Sequence, residues 1–320
     1  MPSPRSQTAE ARGKLVLQDH KLLVAALASL SWLAVAVSGS AAAPDELVLQ
    51  DHKVPRAAAL LARHAPVVVL HGAERSAPTN VAGFLADAEL ANGRYDLRAC
   101  SAKEGLAALQ CYDDADEPAQ PVVYAAAFPG RDGRIALQYW LFHAFDLWSP
   151  FVPQSPDYWK AHEGDWEAVT VLLDAKRRPT DVGASRHCGG ARRTWAKVER
   201  RGTHPVVYSA LGSHALYFGP GRYRQERRCW PKEALAVFDA YKVAVVDNVG
   251  HVGEGRTVSP RVVTVTASSP AWMRFSGSFG ESQYLHFPQA TFAYGAGPRG
   301  PAFHDLWRRP FAEPRGWPPG

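Results

Sequence analysis

The sequence predicts a mainly β protein, an antiparallel β-sandwich with a few peripheral helices. Short apolar segments rich in Val, Ile, Thr, Tyr and Phe recur from residue 66 onward and are bounded by Gly, Pro, Asp or Ser, as is typical of strands. The 25 Pro and 26 Gly residues indicate many turns. Strand-like segments follow one another without regular alternation with helices, which favours a sandwich over a parallel α/β sheet.

Six strand segments and three helical segments carry this prediction. The strands are PVVVLHG (66–72), PVVYAAAF (121–128), RIALQYWLFHAF (134–145), EAVTVLLD (167–174), HPVVYSALG (204–212) and RVVTVTAS (261–268). The helices are VAGFLADAEL (81–90), AKEGLAALQ (102–110) and PKEALAVFDAYKV (231–243), the last with Pro at its first position. Because no Pro/Ser-rich linker divides residues 54–320, we expect a lead-in at 44–64, one domain at 65–313 and an extended tail, PRGWPPG, at 314–320.

The first 43 residues have the order of a secretory signal peptide. Four basic residues precede the apolar segment LLVAALASLSWLAVAV (22–37), and the small residues SGSAAA follow it and end at Ala43. This segment is shorter than the about 20 residues of a membrane span, so we expect cleavage and secretion, with an uncleaved anchor as the alternative. Removal of four basic and two acidic residues lowers the net charge from +5 to +3.

The cysteines and the basic residues give two further predictions. An even number of cysteines in an exported chain favours disulfides, and of the three possible pairings we expect the nearest in sequence, Cys100–Cys111 and Cys188–Cys229. No CxxC motif occurs, which argues against a cysteine zinc site. The basic stretches 191–201 and 222–228 suit phosphate or anionic headgroups, with a solvated loop face as the alternative. No nucleic-acid-binding motif accompanies them.

The stretch KAHEGDWEAVTVLLD (160–174) concentrates polar chemistry before an apolar segment. In a strand, Asp165 and Glu167 point to one face and Trp166 points to the other, where we expect it in the core. In a helix, positions two apart diverge by about 200°. We expect His162 on the entering loop, curled back beside Asp165. Two carboxylates with an imidazole suit a hard cation or an acid/base pair.

The order of the surrounding segments resembles the Vps62-type family, which includes the plant DUF946 group. The resemblance covers about residues 65–225. It rests on APVVVLHGAERSAPTNVAGFL (65–85), IALQYWLFHAFD (135–146), HEGDWEAVTVLLD (162–174), SRHCGG (185–190) and HPVVYSALGSHALYF (204–218).

HEGDWE is also distantly similar to the heptapeptide of the NPP1-like necrosis-inducing secreted cytolysins. That resemblance implies a secreted β-sandwich that binds a divalent cation and acts on sphingolipid headgroups. It implies four cation ligands here: Asp146, His162, Asp165 and Glu167. The sequence departs from the heptapeptide at Gly164, where that family has His, and at Glu163, where it has a basic residue.

Two further histidines, His187 and His214, recur in the resemblance and are candidates to line the site, with a structural role at a strand end as the alternative. His204 we interpret as structural or exposed. The oxygen-rich donor set favours Ca²⁺ or Mg²⁺, while its single His leaves Mn²⁺ or Zn²⁺ open.

Three functional hypotheses follow. The first is a secreted cation-binding protein that recognises a glycan or an anionic lipid headgroup and is membrane-active. The second is a hydrolase in which Asp165 and Glu167 are catalytic, although no HExxH, GxSxG or P-loop motif occurs. The third is a structural envelope protein without a ligand.

Overall fold

The computed structural model describes most of the chain from Val54 onward. The described residues are 54–74, 76–97, 100, 111, 120–148, 159–230, 232–240, 242, 244–280, 283–287, 290–295 and 297–314. All of them fall in one compact unit, Leu49–Gly320. The predicted signal peptide, the predicted helix 102–110 and tail residues 315–320 lie outside the described residues.

Strands dominate the described residues, and each of the six predicted strand segments contains one. In chain order they are β1 Val67–Leu70, β2 Glu89–Ala91, β3 Arg94–Asp96, β4 Val122–Pro129, β5 Ile135–Trp148, β6 Trp159–Leu173, β7 Pro179–Arg186, β8 Gly189–Thr194, β9 Arg200–Arg201, β10 His204–Ser209, β11 Leu216–Tyr217, β12 Arg222–Arg224, β13 Val246–Asn248, β14 Arg256–Val258, β15 Arg261–Thr264, β16 Ser278–Phe279, β17 Gln283–Phe287 and β18 Ala290–Gly295.

The strands form mixed sheets. The largest has eight strands, β15-β4-β5-β6-β17-β18 with β7 and β8 continuing from β6, and the next has five, β11-β10-β1-β14 with β9 on β10. β12–β13 and β16-β3-β2 are small separate sheets. The mainly β prediction is confirmed. The antiparallel prediction is wrong for the pairs β1/β10, β15/β4 and β16/β3, which are parallel, and a sandwich is not confirmed. These parallel partners lie far apart in the chain, so local patterns carry no signal for them.

The helices are short: α1 Ala57–Arg63, α2 Val81–Asp87, α3 Lys232–Ala240 and α4 Asp305–Arg308. α2 begins where predicted because the Asn80 side chain caps it, accepting from the Ala82 N–H at 2.8 Å. It ends earlier than predicted because β2 starts at Glu89. α1 lies within the predicted lead-in, and its Leu60 and Leu61 are buried in the core. None of the helices in the described residues has the length and apolar content needed to cross a membrane.

The core lies on both faces of β4, β5 and β6. One face carries a cluster of aromatic rings that includes Trp140, Phe142 and Trp166, and the other carries smaller apolar side chains such as Leu141 and Val169. Burial on both faces explains why these strands are continuously apolar in sequence. Trp166 is 2% exposed, so its predicted core position is confirmed.

Both predicted disulfides are confirmed. Cys100 bonds to Cys111 and Cys188 bonds to Cys229, with Cα–Cα distances of 5.3 and 5.2 Å. The second bridge ties the β7–β8 turn to the segment that follows β12. No free cysteine remains in the described residues.

Candidate metal centre

The β5–β6 hairpin carries the polar residues of the HEGDWE stretch within its strands. β6 runs through all of them, so positions 165–167 are extended as predicted. Across the hairpin His143 pairs with Asp165 and Asp146 pairs with His162. The prediction that His162 lies on an entering loop is wrong, because it belongs to β6 itself. Asp146, the ligand implied by the resemblance, is thus its cross-strand neighbour.

Gly164 decides which side chains share the face of Asp165. Strict alternation would place Glu163 there. Instead the Glu163 carboxylate accepts the Leu97 N–H at 3.0 Å, on the aromatic side of the sheet. Gly164 has φ 64°, which breaks the alternation and returns His162 to the Asp165 face. A Cβ at this position would lie 2.6 Å from the Phe279 carbonyl oxygen, so only glycine fits.

Three ligand-competent side chains converge as a result. Asp146, His162 and Asp165 offer ligand atoms that lie within 4.8 Å of one another, the one such group in the described part of the chain. Asp146 and His162 are buried, and the Asp165 side chain remains 12% exposed. The group therefore has a narrow opening to solvent at Asp165.

The hydrogen bonds of His162 define what it can bind. Its Nδ1–H donates to the Gly164 carbonyl at 3.0 Å. Its Nε2 faces the Asp146 carboxylate at 3.4 Å. Since the Gly164 carbonyl occupies Nδ1–H, Nε2 is the ring nitrogen available to a cation that Asp146 also binds. A backbone carbonyl that fixes one nitrogen while the other faces the metal is a common feature of histidine ligands. The donor set therefore fits a cation.

Glu167 lies beside this group, not within it. The Ser185 hydroxyl donates to its carboxylate, and Ser185 Oγ in turn accepts the Ala168 N–H at 2.7 Å. Burial, followed by the charge of Asp165, raises the pKa of Glu167 well above its ordinary value. The predicted role of Glu167 as a ligand stays a prediction, since the structure surrounds it with hydrogen bonds of its own.

His214 reaches the group from a different sheet. Its Nδ1–H donates to the Asp165 carboxylate at 3.1 Å, so it lies at the site as the resemblance implied. Its ring stacks on His143, which sequence analysis missed although it stands three residues before Asp146 in the same strand. His143 Nδ1 is hydrogen-bonded to Ser76 Oγ at 3.1 Å. Burial, followed by the nearby His214, lowers the pKa of His143 well below its ordinary value.

The parallel pairing of β1 with β10 brings His214 to the hairpin. The carboxyl ends of the two strands are adjacent, so the residues that follow them, 71–74 and 76–80 after β1 and 210–215 after β10, meet there. The Glu74 carboxylate accepts the Gly212 N–H at 2.6 Å. The Gly212 carbonyl accepts the Leu147 N–H at 2.9 Å, and a Cβ on Gly212 would lie 1.8 Å from the Leu147 oxygen. The turn that carries His214 is therefore fixed against the end of β5.

His187 belongs to a second polar cluster, centred on Asp247 of β13. The Asp247 carboxylate is fully buried and accepts from His187 Nε2 at 2.7 Å. It also accepts from three more side chains: Ser213 at 2.9 Å, Tyr217 at 2.5 Å and Gln225 at 2.8 Å. Burial by itself raises the pKa of Asp247, but the charge and hydrogen bond of His187, with the two hydroxyls, outweigh it and lower that pKa.

This cluster was missed in the sequence. Asp247 lies outside the stretch covered by the resemblance, and its one signal is a lone acidic residue after the apolar VAVV of 243–246. Asp247 accepts a hydrogen bond from Ser213, which precedes His214, and so fixes the other side of the 210–215 turn. The His204 Nδ1–H donates to the Ala65 carbonyl at 2.9 Å, which agrees with its structural interpretation.

Comparison with known proteins does not assign a family. No family model and no curated protein matches the chain. A solved structure described as "Toxin fold as basis for microbial attack and plant defense" is 17% identical, with a TM-score of 0.38 over 74% of this chain and 89% of that chain. "NLPPya in complex with mannosamine" is also 17% identical, with a TM-score of 0.35 over 69% and 79% of the two chains.

A third solved structure, "NLPPya in complex with glucosamine", is 21% identical, with a TM-score of 0.32 over 54% of this chain and 73% of that chain. These neighbours are NPP1-like toxins, the group that HEGDWE resembles. The identities and TM-scores are too low to carry an argument about fold, family or function. Membership of the Vps62-type family stays a prediction.

Proposed function

We propose that the chain is a secreted protein that binds a divalent cation through Asp146, His162 and Asp165 and uses this centre to recognise a glycan or lipid headgroup. The observation that carries the proposal is the convergence of these three ligand-competent side chains within 4.8 Å on one face of the β5–β6 hairpin. The proposal covers the metal centre and the class of ligand, and it assigns no catalytic turnover.

The environment of the three residues supports a cation over an empty polar cluster. Asp146 and Asp165 are two buried carboxylates that share one site, and like charges at short range are costly unless a positive charge lies between them. Their oxygen atoms suit Ca²⁺ or Mg²⁺, and His162 adds a nitrogen donor that Mn²⁺ or Zn²⁺ also accepts. The exposed part of Asp165 leaves room for solvent or ligand oxygens, which is how a bound ion could contact a polar partner.

Thermal unfolding of the mature protein tests the centre. Chelator-treated protein should gain stability as Ca²⁺, Mg²⁺, Mn²⁺ or Zn²⁺ is added, by about 2.7 kcal/mol when the ion is at 100 times its Kd. Asp165→Asn should abolish the gain, because it removes the charge while keeping the side-chain shape. Asp181→Asn, in β7 and outside the site, is the matched control and should keep it. A melting temperature unchanged by all four ions would contradict the proposal.

Ligand binding is measured with and without chelator. The solved neighbours in complex with mannosamine and glucosamine suggest these two amino sugars as the first glycan probes. Phosphatidylserine vesicles serve as the lipid probe. If binding of an amino sugar or of the vesicles disappears in chelator and in Asp165→Asn, the ligand is recognised through the metal centre. If binding is the same with and without the cation, the ligand binds elsewhere and the cation has a separate role.

A hydrolase is the second candidate, favoured by one observation. Burial, followed by the charge of Asp165, raises the pKa of Glu167 well above its ordinary value, which favours the protonated form that a general acid needs. Turnover of a polysaccharide or phosphoester that is lost in Glu167→Gln would support this reading. Unchanged binding without any turnover would remove it.

A further inference from the structure

The β2–β3 hairpin ends in the one Asn-Gly pair of the sequence, Asn92–Gly93. Ala91 pairs with Arg94, so these two residues form the whole loop. Their φ angles are 51° and 74°, and positive values at both positions define the type I′ turn that Asn-Gly favours. Both residues are exposed, and a Cβ on Gly93 would meet nothing within 4 Å. The tip of the hairpin is therefore open to water.

The two groups that react in a deamidation are free at this tip. In the described residues, no hydrogen bond engages the Asn92 side-chain amide or the Gly93 N–H. Gly93 has no side chain to hinder the approach of its nitrogen to the Asn92 amide carbon. The other two asparagines, Asn80 and Asn248, are followed by the branched Val, and their side chains already accept backbone N–H groups. Asn92 is therefore the asparagine most open to cyclisation.

The β4–β5 turn contains the corresponding acidic pair, Asp132–Gly133. There the carboxylate is held in place, because Asp132 Oδ1 accepts the Arg134 N–H at 3.2 Å and Oδ2 accepts from Arg134 Nε at 2.5 Å. An ionised carboxylate is also a poor electrophile, whereas the neutral amide of Asn92 can release ammonia. The reactive position is therefore the β2–β3 loop and not the β4–β5 turn.

The strands beside Asn92 oppose the reaction only weakly. Cyclisation requires the loop to leave its turn geometry briefly, so that the Gly93 nitrogen can reach the amide carbon. β2 and β3 have three residues each, and β2 is the outer strand of its sheet. Short outer hairpins of this kind open locally at low cost in free energy.

The same loop is bonded to β16. The Ser278 N–H donates to the Gly93 carbonyl at 3.1 Å, and the Gly280 N–H donates to the Tyr95 carbonyl at 2.6 Å. A Cβ on Gly277 would lie 1.9 Å from the Gly93 oxygen, so the two segments are in close contact. The position of β16 therefore depends on the geometry of the hairpin tip.

β16 in turn contacts the strand of the metal centre. Phe279 lies between Ser278 and Gly280, is fully buried, and has its carbonyl against Gly164. The positive φ of Gly164 places His162 on the face of Asp165. A continuous set of contacts thus leads from the hairpin tip through Phe279 to the cation ligands.

We propose that Asn92 is a spontaneous modification site, at which conversion to isoaspartate limits the lifetime of the metal centre. The modification itself depends on the hairpin alone, and its effect on the centre rests on the proposed function.

The reaction needs water as its only co-reactant. The Gly93 backbone nitrogen loses its proton to hydroxide or a buffer base and attacks Cγ of Asn92. The new N–Cγ bond replaces the bond from Cγ to Nδ2, and ammonia leaves. Water then opens the cyclic imide. Attack at Cγ gives an ordinary aspartate, and attack at the main-chain carbonyl carbon gives isoaspartate, in which the backbone runs through Cβ and Cγ.

The isoaspartyl linkage lengthens the backbone at the tightest point of the hairpin. The added atom displaces the Gly93 carbonyl and removes the acceptor of the Ser278 N–H. β16 then loses one of the bonds that hold Phe279 against Gly164. We expect His162 to be held less well and the centre to bind its cation more weakly.

The first measurement follows the peptide that contains Asn92 while the purified protein is kept in warm, mildly alkaline buffer. Mass spectrometry detects conversion of the amide to an acid, and an isoaspartate-specific methyltransferase detects the lengthened linkage. Asn92 should convert at least about tenfold faster than Asn80 and Asn248, because Gly and not Val follows it. Asn92→Gly keeps the turn but lacks the amide, so no isoaspartate should form at this position.

The second measurement compares cation binding in the aged fractions. Modified and unmodified molecules differ in charge, so ion exchange separates them. The apparent Kd for the cation, obtained from thermal unfolding, should rise at least about fivefold in the isoaspartate fraction. Aged Asn92→Gly should keep the original Kd. Freshly purified Asn92→Asp should also keep it, because this variant adds the charge without lengthening the backbone.

Conversion of Asn92 no faster than that of Asn80 and Asn248 would overturn the modification site, and equal cation affinity in both fractions would overturn its effect on the centre. If fresh protein responds to no cation, the proposed function fails instead, and hydrogen exchange tests the inference. The Ser278 amide should then exchange at least about tenfold faster in the isoaspartate fraction, while the Val206 amide of β10 stays unchanged. Unchanged exchange at Ser278 would also overturn the inference.

Discussion

The imidazole rings of His143 and His214 lie parallel, with centroids 3.7 Å apart and planes 5° from each other. His143 belongs to β5 of the eight-stranded sheet, and His214 follows β10 of the five-stranded sheet. The contact therefore joins the two sheets beside Asp165. Stacked rings at this distance tolerate at most one positive charge, and burial, followed by His214, keeps the pKa of His143 low.

The buried His143 should make stability depend on pH. Because its folded-state pKa lies below the unfolded value of about 6.5, its contribution is complete above that pH and is lost as the pH falls below it. In chelator, the free energy of unfolding should decrease by up to about 1.4 kcal/mol per pH unit from this group. His143→Phe, which keeps a ring, should flatten the slope between pH 6.5 and 5 in urea titrations. A slope that is unchanged in the variant would assign the effect to other groups.

Gly164 should be essential to the metal centre because a side chain there would clash with Phe279, and this effect can be separated from the strain of a positive φ. Gly164→Ala adds a Cβ 2.6 Å from the Phe279 oxygen at φ 64°, so we expect a loss of more than about 2 kcal/mol in unfolding free energy and of the cation-induced stabilisation. Gly93→Ala, at φ 74° with nothing within 4 Å of its Cβ, is the matched control. It should cost only about 1 kcal/mol and keep the response to cations.

Asp247 should be the most costly buried carboxylate to neutralise. Asp247→Asn leaves His187, Tyr217 and Ser213 facing a neutral amide, and we expect a loss of about 3–5 kcal/mol at pH 7. Since the folded pKa of Asp247 is lowered, its contribution is full above its ordinary value of about 3.9 and is lost as the pH falls through the lower folded value.

The difference in the free energy of unfolding between Asp247→Asn and the unmodified protein should therefore be constant from pH 5 to 8 and should decrease only in stronger acid. Guanidinium titrations across this range measure it, with Asp181→Asn as the control. A cost of less than about 1 kcal/mol at pH 7 would show that the four hydrogen bonds contribute little.

The two disulfides should differ in how much they contribute to the free energy of unfolding. By loop-closure entropy, the Cys188–Cys229 bridge, with a sequence separation of 41, should contribute about 4 kcal/mol, against about 3 kcal/mol for Cys100–Cys111, with a separation of 11. Paired Ser variants of each bridge, unfolded in urea, measure the difference. Cys188 follows His187, which bonds to Asp247, and Asp247 bonds to Ser213 in the turn that carries His214. Because His214 donates to Asp165, removal of the longer bridge should also weaken cation binding, whereas removal of the shorter one should not. An equal effect of both on cation binding would contradict this coupling.

Local pattern was enough to predict six of the strands in the described residues, among them the long β4, β5 and β6, together with both disulfides and the core position of Trp166. The other strands, most of them short, were not predicted. The face shared by Asp165 and Glu167 followed from strand alternation alone. The position of His162 did not, because it depends on the positive φ of Gly164, which is enforced by contact with Phe279, a residue more than a hundred positions away. Sequence order contains no trace of that contact.

The partners of the site residues were beyond local pattern for the same reason. Ser76, His143 and Asp247 resemble ordinary polar residues in the sequence, and their partners lie in segments that are distant in the chain. For Glu167, strand alternation predicted the correct face of the sheet. It could not predict that the Ser185 hydroxyl would donate a hydrogen bond to the Glu167 carboxylate.

The pairing of Val67 with Val206 across β1 and β10 has a consequence for how the molecule matures. Strands so distant in the chain meet late, because closing a long loop costs entropy before any contact compensates for it. His214, which donates to Asp165, cannot reach the proposed cation site until most of the polypeptide has been synthesised and collapsed. An ion that binds only the completely assembled site would then stabilise fully folded molecules and leave partly folded ones without that stabilisation.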